Sequence, residues 1–179
     1  MAHCVYGVWD GVVCDARHVS GKQEVPGLAG LEGIASNTVT KAFISDRGFL
    51  ILDESTCLAE AFAQYLTQAA NESCGRCTPC RVGTPRLRDL LISVSAGTAA
   101  QDALDEAQAL AWQVTQTSLC GMGQNCARSL LDALRHFRDE FSAMTPAQSV
   151  FQHSFVYTTA PCVEACPSKI DVPRYVAGV

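Results

Sequence analysis

Apolar residues recur at helical spacing in four stretches of the chain. The first two stretches carry Leu58, Phe62, Tyr65, Leu66 and Ala69, and then Leu87, Leu90, Leu91 and Val94. The last two carry Leu104, Ala107, Ala111 and Val114, and then Leu130, Leu134, Phe137 and Phe141. Residues three and four apart share a helix face, so this pattern predicts four amphipathic helices. The short connections between them favour antiparallel neighbours in an up-and-down four-helix bundle.

Cap residues support these helices. Thr56 can cap the first helix, and Thr84-Pro85 is typical of a helix start, with proline where its missing N–H costs nothing. Gly97 is placed where the second helix should end in a left-handed residue.

Before Asp53 the pattern changes to short apolar runs separated by turn residues. Residues 42–45 and 49–52 are two such runs, and the Asp46-Arg47-Gly48 segment between them predicts a hairpin. The sequence therefore predicts a mainly α protein in three parts: a small β and loop segment over residues 1–52, a four-helix domain over 53–145, and a short extension over 146–179.

Composition excludes several classes of protein. With 179 residues and 48% hydrophobic content, the chain can bury a good core. Its net charge is −5 and its 13 basic residues form no block, so nucleic acid is an unsuitable partner. No apolar run approaches the roughly 18 residues that span a bilayer, and the N-terminus lacks the pattern of a secretion signal. We therefore expect a cytoplasmic protein without a membrane span.

Ten cysteines are present, and four of them have the spacing of metal ligands. Cys74, Cys77 and Cys80 stand three residues apart, and Cys120 follows forty positions later. A compact run of this kind can wrap a [4Fe–4S] cluster while a distant cysteine closes the fourth iron. Structural zinc usually takes two separated pairs, and zinc or simply buried thiols remain the alternatives. In an up-and-down bundle both cysteine loops lie at the same end, which supports the cluster.

Four stretches together resemble a known family: residues 48–57, 72–81, 117–124 and 136–141. They are similar to the C-terminal iron–sulfur domain of the NADH-oxidising flavoprotein subunit of respiratory complex I, and to related subunits of NAD-linked hydrogenases and formate dehydrogenases. The resemblance implies a four-helix bundle whose [4Fe–4S] cluster takes single electrons from a flavin. By motif position it implies that the ligands are Cys74, Cys77, Cys80 and Cys120, whereas Cys57 matches a family cysteine that is not a ligand.

The flavin- and NADH-binding domain that precedes this bundle in the family has no counterpart before Ala42. Gly27, Gly30 and Gly33 have the wrong spacing for a dinucleotide-binding loop. We therefore expect no FMN or NAD on this chain alone, and no catalysis by it alone. Its expected role is to relay single electrons between a flavin- or NAD(P)H-oxidising partner and other iron–sulfur subunits of a redox complex.

Residues around the cysteines suggest supporting roles. We expect Gly75, Gly121 and Gly123 to let the backbone approach the inorganic sulfides. Positive charge from Arg76 and Arg81 would favour the reduced cluster, although an ordinary solvated helix face explains the local arginines equally well.

A second cysteine motif lies in the extension, where Cys162 and Cys166 form a Cys-x3-Cys-Pro run. The segment resembles the opening of the ferredoxin-like domain of the glutamate synthase small subunit and of dihydropyrimidine dehydrogenase. A second cluster here would need further ligands from elsewhere. The alternative is a docking tail with two thiols.

Two other functions stay open. The chain could be an assembly subunit in which zinc supplies stability without redox chemistry. It could also be a fragment of an enzyme subunit whose flavin domain is encoded separately.

Overall fold

A computed structural model describes residues 4–17 and 41–142, which form a small antiparallel sheet and a larger set of helices. The four strands are β1 (Tyr6–Trp9), β2 (Val12–Asp15), β3 (Ala42–Ser45) and β4 (Gly48–Ile51). Their order in the sheet is β2-β1-β4-β3, and all neighbours are antiparallel. The β3–β4 hairpin predicted from the sequence is confirmed, with Ser45 opposite Gly48.

The β1–β2 hairpin was not predicted. Its two-residue turn is Asp10-Gly11, and both residues have positive φ angles, 49° and 79°. That turn twists in the sense that the flanking strands require, and Asp-Gly is among the sequences that favour it. The sequence signal was present, but β1 is buried at every position and so has no polar alternation to mark it as a strand.

The described helices follow the sheet. They are α1 (Leu58–Asn71), α2 (Thr84–Ser95), α3 (Ala103–Thr117), α4 (Gly121–Cys126), α5 (Arg128–His136) and α6 (Arg138–Ser142), and a π-helical turn, Pro79–Gly83, leads directly into α2. Helix α1 packs against α2, α2 against α3, and α3 against α5. Helix α5 also contacts β1 and β4, so the sheet covers one side of the helices.

One hydrophobic core joins the sheet to the helices. The ring of Phe49 on β4 meets the rings of Phe62 on α1 and Phe137 after α5, at centroid distances of 5.4 and 5.9 Å. Tyr6 packs on Phe137 at 5.0 Å. The core therefore continues across the predicted boundary between residues 52 and 53. A smaller cluster on the opposite face of the sheet contains Cys4, Trp9, Cys14 and Leu50.

An arginine fastens the sheet to the last described helix. Arg17 follows β2, and its guanidinium pairs with Asp15 at 2.7 Å, Asp139 at 3.0 Å and Glu140 at 2.5 Å. It also lies 5.0 Å from the centroid of the Phe137 ring, a cation–π contact.

The predicted helix ends were partly wrong. Helix α1 begins at Leu58 without a side-chain cap, and the Thr56 hydroxyl donates instead to the Lys41 carbonyl. Thr84 is not a cap either, because the helical chain already runs through the π-helical turn before it. The prediction for Gly97 is confirmed: its φ is +68°, and the N–H groups of Gly97 and Thr98 close the end of α2.

The fourth predicted helix is divided into α4, α5 and α6. The backbone leaves helical geometry near Ala127 and again at Phe137, where φ is −136° and ψ is 37°. The apolar periodicity continues through both interruptions, which is why the sequence predicted a single helix. Within the described residues no helix is both long and apolar enough to span a bilayer.

Candidate iron–sulfur site

The loop between α1 and α2 carries Cys74, Cys77 and Cys80. It turns at Gly75, whose φ of +73° is a conformation that side-chain-bearing residues rarely adopt. The π-helical turn then begins at Pro79 and places Cys80 on the inner side, where it is buried. Cys74 and Cys77 remain partly exposed.

The loop that follows α3 meets this first loop. The N–H of Leu119 hydrogen-bonds the Cys77 thiol and, as the main cause, lowers its pKa. The Ser118 hydroxyl also faces this thiol and lowers its pKa, and it has no other hydrogen-bond partner in the described part of the chain. Cys120, the next residue after Leu119, is exposed and begins α4. The two loops are therefore at the same end of the helices, in agreement with the prediction from the sequence.

Cys80 occupies the interior of this meeting point. Burial is the main effect and raises the pKa of its thiol, while hydrogen bonds from Ser73 and Thr84 lower it. Nearby Cys77 and Cys120 raise it further by electrostatic repulsion. The distance between Ser73 Oγ and Cys80 Sγ is 3.3 Å.

Gly123 lets the second loop come close to Cys80. A Cβ atom at this position would lie 2.4 Å from Ser118 Oγ and 3.0 Å from Cys80 Cβ. Any larger residue would therefore push the two loops apart. The prediction that Gly75, Gly121 and Gly123 approach inorganic sulfide stays a prediction, but Gly75 and Gly123 each have a separate structural reason to be glycine.

Cys126 lies behind the site and is buried. Its thiol donates to the Gly123 carbonyl at 3.4 Å and lies 3.7 Å from the Thr84 hydroxyl. Burial is the main cause that raises its pKa to about 12. A protonated thiol that already donates to a carbonyl is a structural residue rather than a ready ligand.

The arginines near the site differ in their contacts. Arg81 donates to the Gly75 carbonyl at 3.3 Å and so braces the cysteine loop, whereas Arg76 is exposed. Arg86 and Arg88 pair with Glu106 and Asp89 on the helix surface. An influence of Arg76 or Arg81 on a cluster stays a prediction.

The remaining described cysteines lie away from this site. Cys4 and Cys14 touch each other on the outer face of the sheet, and Cys57 is buried just before α1. Burial raises the pKa of both Cys4 and Cys57. No disulfide links the cysteines of the described ranges. Cys162, Cys166 and the predicted ferredoxin-like extension lie outside the described residues.

The residues of the site fit an iron–sulfur cluster in their chemistry. Three of the thiols and several N–H and hydroxyl donors face a common junction, as cysteine-bound clusters require. Across residues 4–17 and 41–142, no three His, Cys, Asp or Glu side chains are gathered closely enough to hold a single metal ion. The ligands of a four-iron cube stand farther apart than those of one ion, because the irons and sulfides lie between them.

Sequence reasoning missed the hydroxyls at the junction, Ser73, Thr84 and Ser118. Ser73 directly precedes Cys74, so its proximity could have been noticed. The contacts of Thr84 and Ser118 depend on how α2 meets the second loop, and no local sequence pattern contains that information.

A helical domain whose cysteine loops meet at one end is characteristic of the iron–sulfur domains of redox proteins. Comparison with known families agrees: residues 60–144 belong to the NADH-ubiquinone oxidoreductase-F iron–sulfur binding region. This range contains Cys74, Cys77, Cys80 and Cys120, and the family binds a [4Fe–4S] cluster.

Curated relatives extend the likeness beyond that region. The chain is 30% identical to the NADP(+)-dependent formate dehydrogenase subunit beta of Moorella thermoacetica, an alignment that covers 100% of this chain and 30% of the relative. It is 30% identical to the NADPH-Fe(3+) oxidoreductase subunit beta of Geobacter sulfurreducens, over 100% of this chain and 27% of the relative. With a NADH-quinone oxidoreductase protein of Streptomyces coelicolor, the F subunit, it shares 33% identity, over 56% and 22%. The chain thus spans less than a third of the length of these relatives.

Proposed function

We propose that this chain is an electron-transfer module that holds one [4Fe–4S] cluster on Cys74, Cys77, Cys80 and Cys120. The observation that carries the proposal is the meeting of the two cysteine loops, in which the N–H of Leu119 donates to the Cys77 thiol. The cluster would supply one-electron chemistry, and the chain itself would break no substrate bond.

The chain's own residues would give the site its geometry. We propose that α1, α2, α3 and the α4–α6 segment act as a four-helix bundle over residues 53–145, with residues 1–52 as a covering segment. Packing between α1, α2 and α3 supports this arrangement because it fixes the ends to which both loops are attached. Thiolates must lose their protons to bind iron, and N–H donors at Cys77 favour that loss.

The surface of the site suits contact with a redox partner. Cys120 is exposed, and its neighbour Leu119 is 77% exposed. Val82, on the π-helical turn next to Cys80 and Arg81, is 55% exposed. We propose that a flavoprotein or another iron–sulfur subunit approaches this end. The names of the relatives, subunits of NAD(P)H-linked and quinone-linked oxidoreductases, support such a complex. A cytoplasmic location is part of the proposal and rests on cysteine spacing that suits ligation in a reducing compartment.

An electron count tests this function. Anaerobically purified chain is titrated with dithionite while the visible absorption and the EPR spectrum are followed. The proposal predicts a brown protein that takes up about one electron per chain and develops an EPR signal. A colourless chain with stoichiometric zinc and no EPR signal would instead favour the zinc-stabilised assembly subunit.

A second experiment separates the carrier from an enzyme. We expect the isolated chain to retain no flavin and to reduce no dye with NADH. Flavin at unit stoichiometry together with NADH-dependent dye reduction would contradict this. Copurification with a separate flavoprotein would support the view that the chain is part of a divided enzyme subunit.

We also propose that Cys162 and Cys166 ligate part of a second cluster. Full-length alignment with the formate dehydrogenase subunit beta supports a shared origin for this segment. The double replacement Cys162→Ser and Cys166→Ser should lower the iron content from about eight to about four per chain. A count of about four before and after the change would favour the docking tail.

A further inference from the structure

Ser73 is the one side-chain hydroxyl in the described ranges whose recorded distance to a proposed ligand sulfur lies within hydrogen-bonding reach. Ser73 Oγ lies 3.3 Å from Cys80 Sγ, and the residue is half-buried at the start of the cysteine loop. Cys80 is the most buried of the four proposed ligands, so water can do little to stabilise charge on its sulfur.

The direction of this hydrogen bond follows from the other contact of Ser73. The N–H of Gly75 donates to Ser73 Oγ at 3.3 Å, so the oxygen already accepts a hydrogen bond. Its own proton is then available for the sulfur. An iron-bound cysteine has no proton to give, so within a loaded site the hydroxyl must be the donor.

Such a bond acts differently on the two oxidation states of a cluster. Reduction adds negative charge that is shared with the cysteine sulfurs, and a donor to a sulfur stabilises the more negative state. The effect is larger where the sulfur is shielded from water, as at Cys80.

From this geometry we propose that Ser73 is a positioning residue whose hydroxyl holds the Cys80 sulfur and raises the reduction potential of the cluster. The proposal rests on the proposed function, since it needs a cluster on Cys80. Gly75 contributes because its left-handed turn directs its N–H back to Ser73.

The test compares reduction potentials in EPR-monitored titrations, with dithionite as the electron donor. Ser73→Ala removes the hydroxyl and should shift the potential to a more negative value, with a roughly three- to ten-fold fall in the equilibrium constant for reduction. Ser73→Thr keeps the hydroxyl and should stay near the wild-type potential. Ser93→Ala is the matched control, because the Ser93 hydroxyl donates to the Leu90 carbonyl within α2 and is also half-buried.

Iron content separates this inference from the proposed function. If wild-type chain holds no iron, the proposed function fails and this inference fails with it. If wild-type and Ser73→Ala chains hold equal iron and have equal potentials, the inference alone is overturned. An equal shift in Ser73→Thr would also overturn it, because shape rather than the hydroxyl would then be responsible.

A second pair covers the case in which Ser73→Ala does not retain its iron. Ser73→Thr and Ser73→Val have nearly the same shape, and only the former has a hydroxyl. A more negative potential in Ser73→Val than in Ser73→Thr supports the inference. Failure of both Ala and Val variants to hold a cluster contradicts it, since the hydroxyl would then serve assembly rather than the potential.

Discussion

Cysteines at the two ends of this molecule have opposite environments. Near the sheet, Cys4 and Cys57 are buried, and burial raises the pKa of both thiols. At the loop end, Cys77 is partly exposed and an N–H donor lowers its pKa. Residue type therefore does not identify a ligand. Exposure, donors to sulfur and a facing loop distinguish the proposed ligands from cysteines that fill a core.

The two ends also differ in what holds them together. The sheet end is packed with aromatic rings and fastened by the Arg17 ion pairs. The loop end has exposed apolar residues, Leu119 and Val82, and contacts made largely by hydroxyls and N–H groups. We expect the sheet end to determine stability and the loop end to determine cluster chemistry, and four changes test that separation.

The largest effect should come from Cys120→Ala at the loop end. Loss of the fourth ligand should remove the four-iron cluster, so the visible band should vanish or change and the iron content should fall well below about four per chain. Cys57→Ala, at the other end, is the control. It should destabilise the fold but leave the iron content and the spectrum as in wild type. An unchanged spectrum in Cys120→Ala would show that the ligand set is wrong.

Phe137→Ala should have the largest effect on stability. The side chain is 1% exposed and touches the rings of Tyr6 and Phe49, so its loss should lower the free energy of unfolding by about 3–5 kcal/mol. Chemical denaturation followed by circular dichroism measures this. The surviving folded protein should keep a normal cluster potential, and a shifted potential would argue against separate ends.

Gly123→Ala should affect both properties. The added methyl would collide with Ser118 and Cys80, with an expected loss of about 1–3 kcal/mol and a lower iron content. Gly97→Ala is a matched control, because its φ of +68° makes alanine unfavourable, yet nothing lies within 4 Å of the new methyl. It should reduce stability with normal iron content. Equal iron content in the two variants would remove the proposed closeness of the loops.

Arg17→Met should have the smallest effect. It removes three ion pairs and a cation–π contact from a mostly buried guanidinium, with an expected loss of about 1–2 kcal/mol that decreases at high salt. Arg47→Met provides the comparison, because Arg47 also pairs with an aspartate and lies over Trp9 but is more exposed. Its loss should be smaller. Equal losses in thermal unfolding would show that Arg17 does not fasten the sheet.

Sequence periodicity predicted those parts of the fold in which local pattern and tertiary packing agree. Helices α1, α2 and α3 and the β3–β4 hairpin were predicted, as was the glycine that ends α2. The interruption of the last helix at Ala127 and Phe137 was not, because apolar residues keep their helical spacing across it. The π-helical turn was also missed, since Thr84-Pro85 by itself is typical of a helix start.

The candidate site shows a similar division. Spacing alone brought Cys74, Cys77 and Cys80 to attention, and bundle topology added Cys120. The donors to their sulfurs were not predicted, because the Leu119 N–H and the Ser118 hydroxyl meet Cys77 only when the second loop is folded against the first. Contacts of this kind depend on the angle between loops, which the sequence does not encode locally.

The most direct test of the proposed cluster is a joint count of iron and acid-labile sulfide on wild-type chain purified without oxygen. A four-iron cube contains both elements, whereas a zinc site contains neither. The proposal predicts about four iron and about four sulfide per chain at the loop end, with more only if the extension binds a second cluster. Stoichiometric zinc with no acid-labile sulfide would contradict it.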